Sequence, residues 1–362
     1  MKPVNLTKFA VVGLALVLLG AGCGGSSTPA KGPDGGVWKT TDGGQIWANK
    51  RNLVVGTKVT TGGAQFNILD MVMDPQDNKA IYLATAEQGI VYTLDGGDLW
   101  QQAKIPNVAK VTAIAIDPKN KCTVYVASGN KIYKTETCAR DWQQIFFEPR
   151  TEVVFTRIMV DHFNPTILFA GTSDGDILRS VTTGVSWEKI QRIDGVKIVS
   201  IAIDARDSRL VYVGTAGSGI YKTVDGGTTW TQIRKQFGEE YTEGRRVTQV
   251  VLDPVEANVV YNVCRYGILK SIDGGETWTA LNLTSPPGTV KIASLAIDPK
   301  NNKNLVYTGV STLQFSTDGG VSWTPKKLPT TQAGSVVMFD PIDSKVLYLG
   351  TTPPPVKEQG MF

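Results

Sequence analysis

One histidine and four cysteines among 362 residues leave no set of side chains from which a zinc site could be built. His162 has no Cys or His beside it, so neither a metal nor any other cofactor is expected. Charge of one sign is also missing. The formal net charge is +4, and residues 1–22 carry two Lys and no acid, so without them it is +2. That balance offers no electrostatic basis for binding nucleic acid. The longest apolar run, Phe9 to Ala21, is shorter than the roughly 20 residues a helix needs to span a bilayer. Low-complexity sequence is confined to a Gly/Ser/Pro stretch after Cys23 and to Pro353, Pro354 and Pro355.

What the chain has is repetition. Five boxes of the form S/T-x-D-G-G-x-x-W run from Thr40 to Trp47, Thr93 to Trp100, Thr223 to Trp230, Ser271 to Trp278 and Ser316 to Trp323. Two eroded copies, Thr135 to Trp142 and Ser180 to Trp187, keep the first hydroxyl and the Trp. Successive Trp residues are 53, 42, 45, 43, 48 and 45 positions apart, a period typical of propellers built from one supersecondary unit.

A second motif alternates with the box: an apolar strand ending in Asp, a polar turn, then a strand such as Val211 to Thr215. Its Asp recurs at Asp74, Asp117, Asp161, Asp204, Asp253, Asp298 and Asp340. Alternating β-branched residues mark strand–turn–strand, and the strands on either side of the box complete a four-stranded blade. The order of units shows how the ring closes. The chain opens on a third strand and box at Val37 to Trp47, and it ends on a first and second strand at Val336 to Thr351. Joining these halves makes a seventh blade and leaves no open sheet edge. The expected fold is all-β, a seven-bladed propeller closed by N-terminal strands completing the C-terminal blade.

Residues that recur in every blade serve the blade. Asp caps the turn backbone, Gly supplies positive φ, and Trp brings a large apolar surface with one N–H. Asp42, Trp47, Asp95, Trp100, Asp225, Trp230, Asp273, Trp278, Asp318 and Trp323 are therefore read as structural.

Lys2 and Lys8 followed by Phe9 to Ala21 read as a signal peptide. Small residues directly before Cys23 resemble the lipobox of bacterial lipoproteins, with Gly20 where Leu is usual and Leu19 one place earlier. The resemblance implies cleavage after residue 22 and lipidation of Cys23, against the plainer reading of a secretory signal with an incidental Cys. The expected divisions are 1–22 signal, 23–34 linker, 35–351 propeller and 352–362 tail. Extended, the linker reaches at most about 40 Å, which places the propeller near a membrane, outside the cytoplasm. Cys122 and Cys138 fall nearly opposite on one hairpin, so a disulfide and a pair of free thiols both remain open; Cys264 is left over.

Exceptions to the repeat are the candidates for a site. Four residues before each turn Asp, in a strand expected to line the central channel, stand Asp70, Ala113, Arg157, Ser200, Gln249, Ser294 and Val336. Asp70, Arg157 and Gln249 are the distinctive members, and the turn Arg265-Tyr266 is expected on the same face, away from the boxes. A guanidinium, a carboxylate, an amide and an aromatic ring suit a carbohydrate or peptide group, as a water-filled polar tunnel also would. The long connection Thr231 to Thr248 reads as a solvated, self-neutralising loop.

The boxes and the DP…VYVGT…GIYKT idiom resemble the BNR/Asp-box superfamily over residues 35–351. That group holds sialidases, xyloglucan-cleaving hydrolases, sortilin-type receptor domains and photosystem II assembly-factor propellers. The resemblance implies the fold and says little of activity. Sialidases have six blades and a Phe/Tyr-Arg-Ile-Pro motif; Phe155-Thr156-Arg157-Ile158 here lacks the Pro. The expected function is a membrane-anchored extracytoplasmic propeller, monomeric and non-catalytic, that binds a protein or carbohydrate ligand as an assembly-factor-like scaffold. The alternative is a glycoside hydrolase, which would need two carboxyl groups across a cleft, from among Asp70, Glu87, Asp174 and Asp176.

Overall fold

The computed structural model describes residues 34–62, 65–105 and 107–354. The signal segment, most of the linker with Cys23, and the tail beyond residue 354 lie outside the described residues. Seven antiparallel sheets form the seven blades of a propeller. Numbered by their first, innermost strands, blades 1 to 7 begin with Ile68–Asp74, Ala113–Ile116, Phe155–Val160, Ile198–Ile203, Val247–Leu252, Ser294–Ile297 and Ala333–Phe339. Blade 7 is the composite one: Ala333–Phe339 pairs with Leu347–Thr352, which pairs with Val37–Thr40 and then Ala48–Lys50. Val37 lies opposite Gly350 and Thr40 opposite Leu347, so the two ends of the chain close the ring through one ladder.

The second strand of a blade is sandwiched by both neighbouring blades, and its sequence shows it. Every residue of Val211–Thr215 is buried, and Tyr82, Tyr125, Tyr212, Tyr261 and Tyr348 at equivalent places are fully enclosed. Tyr212 donates its hydroxyl to the Gly274 carbonyl of the next blade at 3.0 Å, and Tyr348 does the same to Gly96 at 3.2 Å. Lys222 and Lys39 reach those same carbonyls at 2.9 and 3.1 Å.

The box turns are built as their residues dictate. In the Asp225 box the Thr223 hydroxyl donates to Asp225 at 2.7 Å and accepts the Gly227 N–H at 2.9 Å, while Asp225 accepts the Thr229 N–H at 2.9 Å. The Trp N–H groups mostly bond inside their own box, as from Trp230 to the Gly227 carbonyl at 3.1 Å, whereas Trp100 crosses to the neighbouring blade, to the Lys50 carbonyl at 3.0 Å. The blade-to-blade staple is thus mainly Tyr and Lys, with Trp contributing apolar bulk. In the eroded boxes Thr137 and Thr182 take over the Asp role, accepting the N–H groups of Asp141 and Ser186, each at 2.9 Å. Cys122 and Cys138 are joined by a disulfide across the base of the first of these boxes. Cys264 is buried and free.

The second Gly of a box is required by close approach as well as by φ. A Cβ on Gly227 (φ +96°) would come within 2.6 Å of Ile190 in the preceding blade, and one on Gly275 within 2.6 Å of Ile233. In each case the neighbour stands three residues after a box Trp. Four boxes set Gly against Ile or Leu in this way, while Gly44 meets Phe315 and Gly97 meets Lys50. In the Cys138 box Ala139 replaces the Gly, and Ala103 stands three residues after the preceding box Trp, both in the same core cluster. A methyl is added on one side and a branched chain removed on the other.

The connection from Lys50 to Phe66 is not a plain loop. Leu53–Val55 and Lys58–Thr60 form a hairpin that extends the outer edge of blade 1, with Leu53 beside Trp100 in parallel register. Among the described residues no helix is long and apolar enough to cross a membrane.

Candidate functional site

The seven first strands enclose a central channel of about 430 Å³. As the innermost strand of its blade, each leaves one row of backbone N–H groups unpaired by its own sheet. The polar side chains four residues before the turn Asp satisfy them from the blade behind. Asp70 accepts the N–H of Ile114 at 3.3 Å, Ser200 that of Val250 at 3.0 Å, Gln249 that of Leu295 at 2.8 Å, and Ser294 that of Val337 at 3.3 Å. In each pair the acceptor's counterpart in the next blade is the residue just before the donor. A β-bulge immediately precedes this position in blades 1, 3, 4, 5 and 7 and re-aims the strand there. Asp70 and Gln249 therefore stitch blades together as well as line the channel.

Asp70, Arg157 and Gln249 share this one channel. Asp70 is half-buried and lines the channel, yet protein surrounds its carboxyl closely, and this desolvation raises its pKa; the Arg157 charge and the N–H groups of Ile114 and Met71 oppose the rise. Arg157 donates from Nη1 to its own neighbour's carbonyl, Thr156, at 2.6 Å, and no carboxylate lies within 4.0 Å of it among the described residues. Lys197, at the start of blade 4, is lowered in pKa by desolvation and then by the positive charges of Arg157 and Lys110. Lys110 and Lys197 stand just before the first strands of blades 2 and 4, so Lys197 has two further cations in electrostatic range on the face away from the boxes. His162 lines the channel from an Asp turn and is exposed.

Arg265 and Tyr266 stand apart from these three. They form a second-to-third turn, which lies farther from the axis than a first strand, and there they meet the connection from blade 4. Tyr266 packs edge-on against Tyr241 with ring centres 5.0 Å apart, and Arg265 lies 3.4 Å from Glu243. Tyr266 also lines a second cleft with Leu281, Leu283 and Pro286. The five candidates therefore occupy two places on one face.

The acids weighed for a hydrolase do not stand free. Arg150 forks to Asp174 and Asp176, each at 2.7 Å, and Arg192 reaches them at 3.2 and 2.8 Å. Burial raises the Asp174 pKa, but its bonds to Thr172 and the two guanidinium groups bring it below the usual carboxylate range. Glu87 accepts both of its bonds from the Asn67 amide, each at 2.9 Å. Sequence reasoning passed over Arg150 and Lys197, whose importance comes from partners distant in the chain. Among the described residues no three His, Cys, Asp or Glu side chains gather as a metal site.

No protein-family model and no curated protein matches the chain. Solved structures do match, at the level of fold. The GH74 enzyme of Niastella koreensis has a TM-score of 0.64 at 19% identity, over 79% of this chain and 51% of that one. The GH74 xyloglucanase of Xanthomonas campestris has 0.65 at 16%, over 79% and 51%. The chain thus spans about half the length of these GH74 proteins. YCF48 bound to D1 peptide has 0.61 at 16%, over 82% of this chain and 94% of that one. These likenesses carry the propeller fold and no more.

Proposed function

We propose that this chain is a membrane-tethered, extracytoplasmic scaffold that binds an extended protein segment on the face away from the box turns. The observation that carries this reading is Arg157 in the channel, with Lys197 and Lys110 as further cations on that face and no carboxylate within 4.0 Å of its guanidinium among the described residues. A peptide with a free carboxylate, terminal or acidic, supplies the missing counter-charge while its backbone meets the polar ends of several blades. The likeness to YCF48, matched over nearly its whole length and solved with a D1 peptide, supports this reading over one drawn from proteins twice as long.

The tether is part of the proposal. The described chain starts at Asp34, whose carboxylate accepts the Thr331 N–H at 2.7 Å in the connection between blades 6 and 7. That connection is on the binding face, so lipid on Cys23 would turn this face toward the membrane.

A hydrolase reading has one feature in its favour, the raised pKa of Asp70, as suits a general acid. It requires a second free carboxyl opposite, and Asp174, Asp176 and Glu87 are already engaged. The test is a random dodecapeptide library displayed with free C-termini, panned on the full-length protein. Enrichment of acidic or carboxylate-terminated peptides that lose at least tenfold in affinity on Arg157→Ala supports the reading. Peptides that bind the R157A/K197A variant equally well refute it.

A further inference from the structure

The connection from blade 4 to blade 5 holds a pocket of about 520 Å³, separate from the channel and on the same face. Its rim is Arg234, Lys235 and Arg245, with Gln232, Gln236 and Thr242 between them and Phe237 at the side. No acid lines it, and among the described residues none of the three cations has a carboxylate within 4.0 Å. The loop expected to neutralise itself does so in part, through Glu243 and Arg246. Glu243 Oε2 turns away to Arg246 and Arg265, at 3.4 Å each.

The segment is held in this shape by its own packing. Phe237 is buried against Trp278 with ring centres 5.4 Å apart. The Arg245 carbonyl accepts the Gly219 N–H at 2.9 Å, and the buried Asn262 amide donates to the Gly244 carbonyl at 2.8 Å. Gln236 Oε1 is buried with no donor. The pocket itself presents three positive charges and no acid among its lining residues. A carboxylate accepts along one planar edge; a tetrahedral phosphodiester accepts on several sides and meets cations set around a rim.

We infer that this pocket binds the phosphate headgroup of an anionic phospholipid, giving the propeller a second point of membrane contact. The inference rests on the tether proposed above. The chain enters the propeller at blade 7, three blades round the ring from blade 4. A lipid anchor at one side of the face and a headgroup site toward the other would hold that face parallel to the bilayer, with the channel mouth between them. Three basic side chains near an anionic surface raise partitioning by about a hundredfold at low salt.

The test uses the full chain carrying Cys23→Ser, which removes lipidation, in co-sedimentation with phosphatidylglycerol and phosphatidylcholine vesicles at about 0.1 M salt. Lys2 and Lys8 beside the apolar segment near the N-terminus favour the anionic vesicle on their own, so the preference is read as the difference between the native pocket and the triple variant, which share that segment. Preference for phosphatidylglycerol of tenfold or more, lost in R234A/K235A/R245A with an unchanged melting temperature and kept in R157A, supports the site. Equal binding to both vesicles, or a preference that survives the triple substitution, overturns it. So does binding of soluble glycerol phosphate to the pocket without any vesicle preference. Membrane fractionation of the wild type against Cys23→Ser in cells reports on the tether alone, so failure of one reading is distinguishable from failure of the other.

Discussion

The side-chain carbonyl of Gln249 accepts the backbone N–H of Leu295 at 2.8 Å, tying the first strand of blade 5 to that of blade 6. Ser200 makes the equivalent bond one blade earlier, to Val250 at 3.0 Å, from a buried position. A propeller has no sheet hydrogen bonds between blades, so such stitches close what the ladders leave open. Removing one orphans a backbone donor, and the cost depends on whether water can reach it. Gln249→Ala, facing channel water, is expected to lose about 1 kcal/mol, and Ser200→Ala up to about 2. Urea unfolding of both variants measures this. A null result at Ser200 would mean that the stitch is incidental.

The Ala103 and Ala139 pair makes a sharper case. Where four other blades set Ile or Leu against Gly, this blade sets Ala against Ala. Ala103→Ile alone should overpack and destabilise by about 1 to 3 kcal/mol. Adding Ala139→Gly restores the arrangement of the other blades and should recover most of the loss. Additive effects in the double-mutant cycle would show that the two sites are uncoupled.

The ring was legible because recurrence exposes it. Seven boxes and seven turn aspartates mark seven blades, and a chain opening on a third strand must close with its own end. The stitches were not legible, because Asp70, Ser200, Gln249 and Ser294 share only acceptor chemistry, and their donors are backbone groups in the next blade. Reading Asp70 and Gln249 as pure exceptions overlooked this. The loop from Thr231 to Thr248 misled for a related reason. Its charges sum near neutrality, but Glu243 turns to Arg246 and Arg265, and among the described residues neither Glu239 nor Glu240 comes within 4.0 Å of Arg234, Lys235 or Arg245, the cations that line the pocket.

Two groups of carboxylates should drive stability in opposite directions with pH. Bonds from the Thr229 hydroxyl, the Thr229 N–H and the Thr223 hydroxyl hold Asp225 down at about 2, below its unfolded value of about 3.9. Its stabilisation is complete above about pH 4 and is lost as pH falls toward 2. Asp70 is raised, so its ionised form costs stability as pH climbs past about 3.9. Asp70→Asn should therefore gain in melting temperature over wild type as pH rises from 3 to 7. Asp225→Asn should lose most at pH 7 and least near pH 2. Parallel curves for wild type and Asp70→Asn would show that Asp70 titrates normally.

Burial pushes the Cys264 thiol up to about 11, and the side chain is 2% exposed. In the Cys23→Ser background, folded protein kept oxidised should take up no maleimide within minutes at pH 7. Unfolding without reductant should release one thiol, and unfolding with reductant three. Three thiols in unfolded, unreduced protein would rule out the bond between Cys122 and Cys138.

The two faces of the ring offer different chemistry to a partner. The box face exposes apolar side chains around its rim, Ile46, Val224, Ile272 and Val321 each more than 60% exposed. The opposite face carries Arg157 and Lys197 near the axis and the turn Arg265-Tyr266 farther out. If the second face is the one that binds, Arg157→Ala should weaken a peptide selected by panning by about 1 to 3 kcal/mol, the range for a charge-assisted hydrogen bond. Its melting temperature should stay near that of wild type, because the Nη1 bond it loses runs only to the adjacent Thr156 carbonyl. Tyr266→Ala should reduce affinity less, since Tyr266 sits at the other cluster against Tyr241. Unchanged affinity in both variants, together with loss of binding in I272S/V321S, would place the partner on the box face.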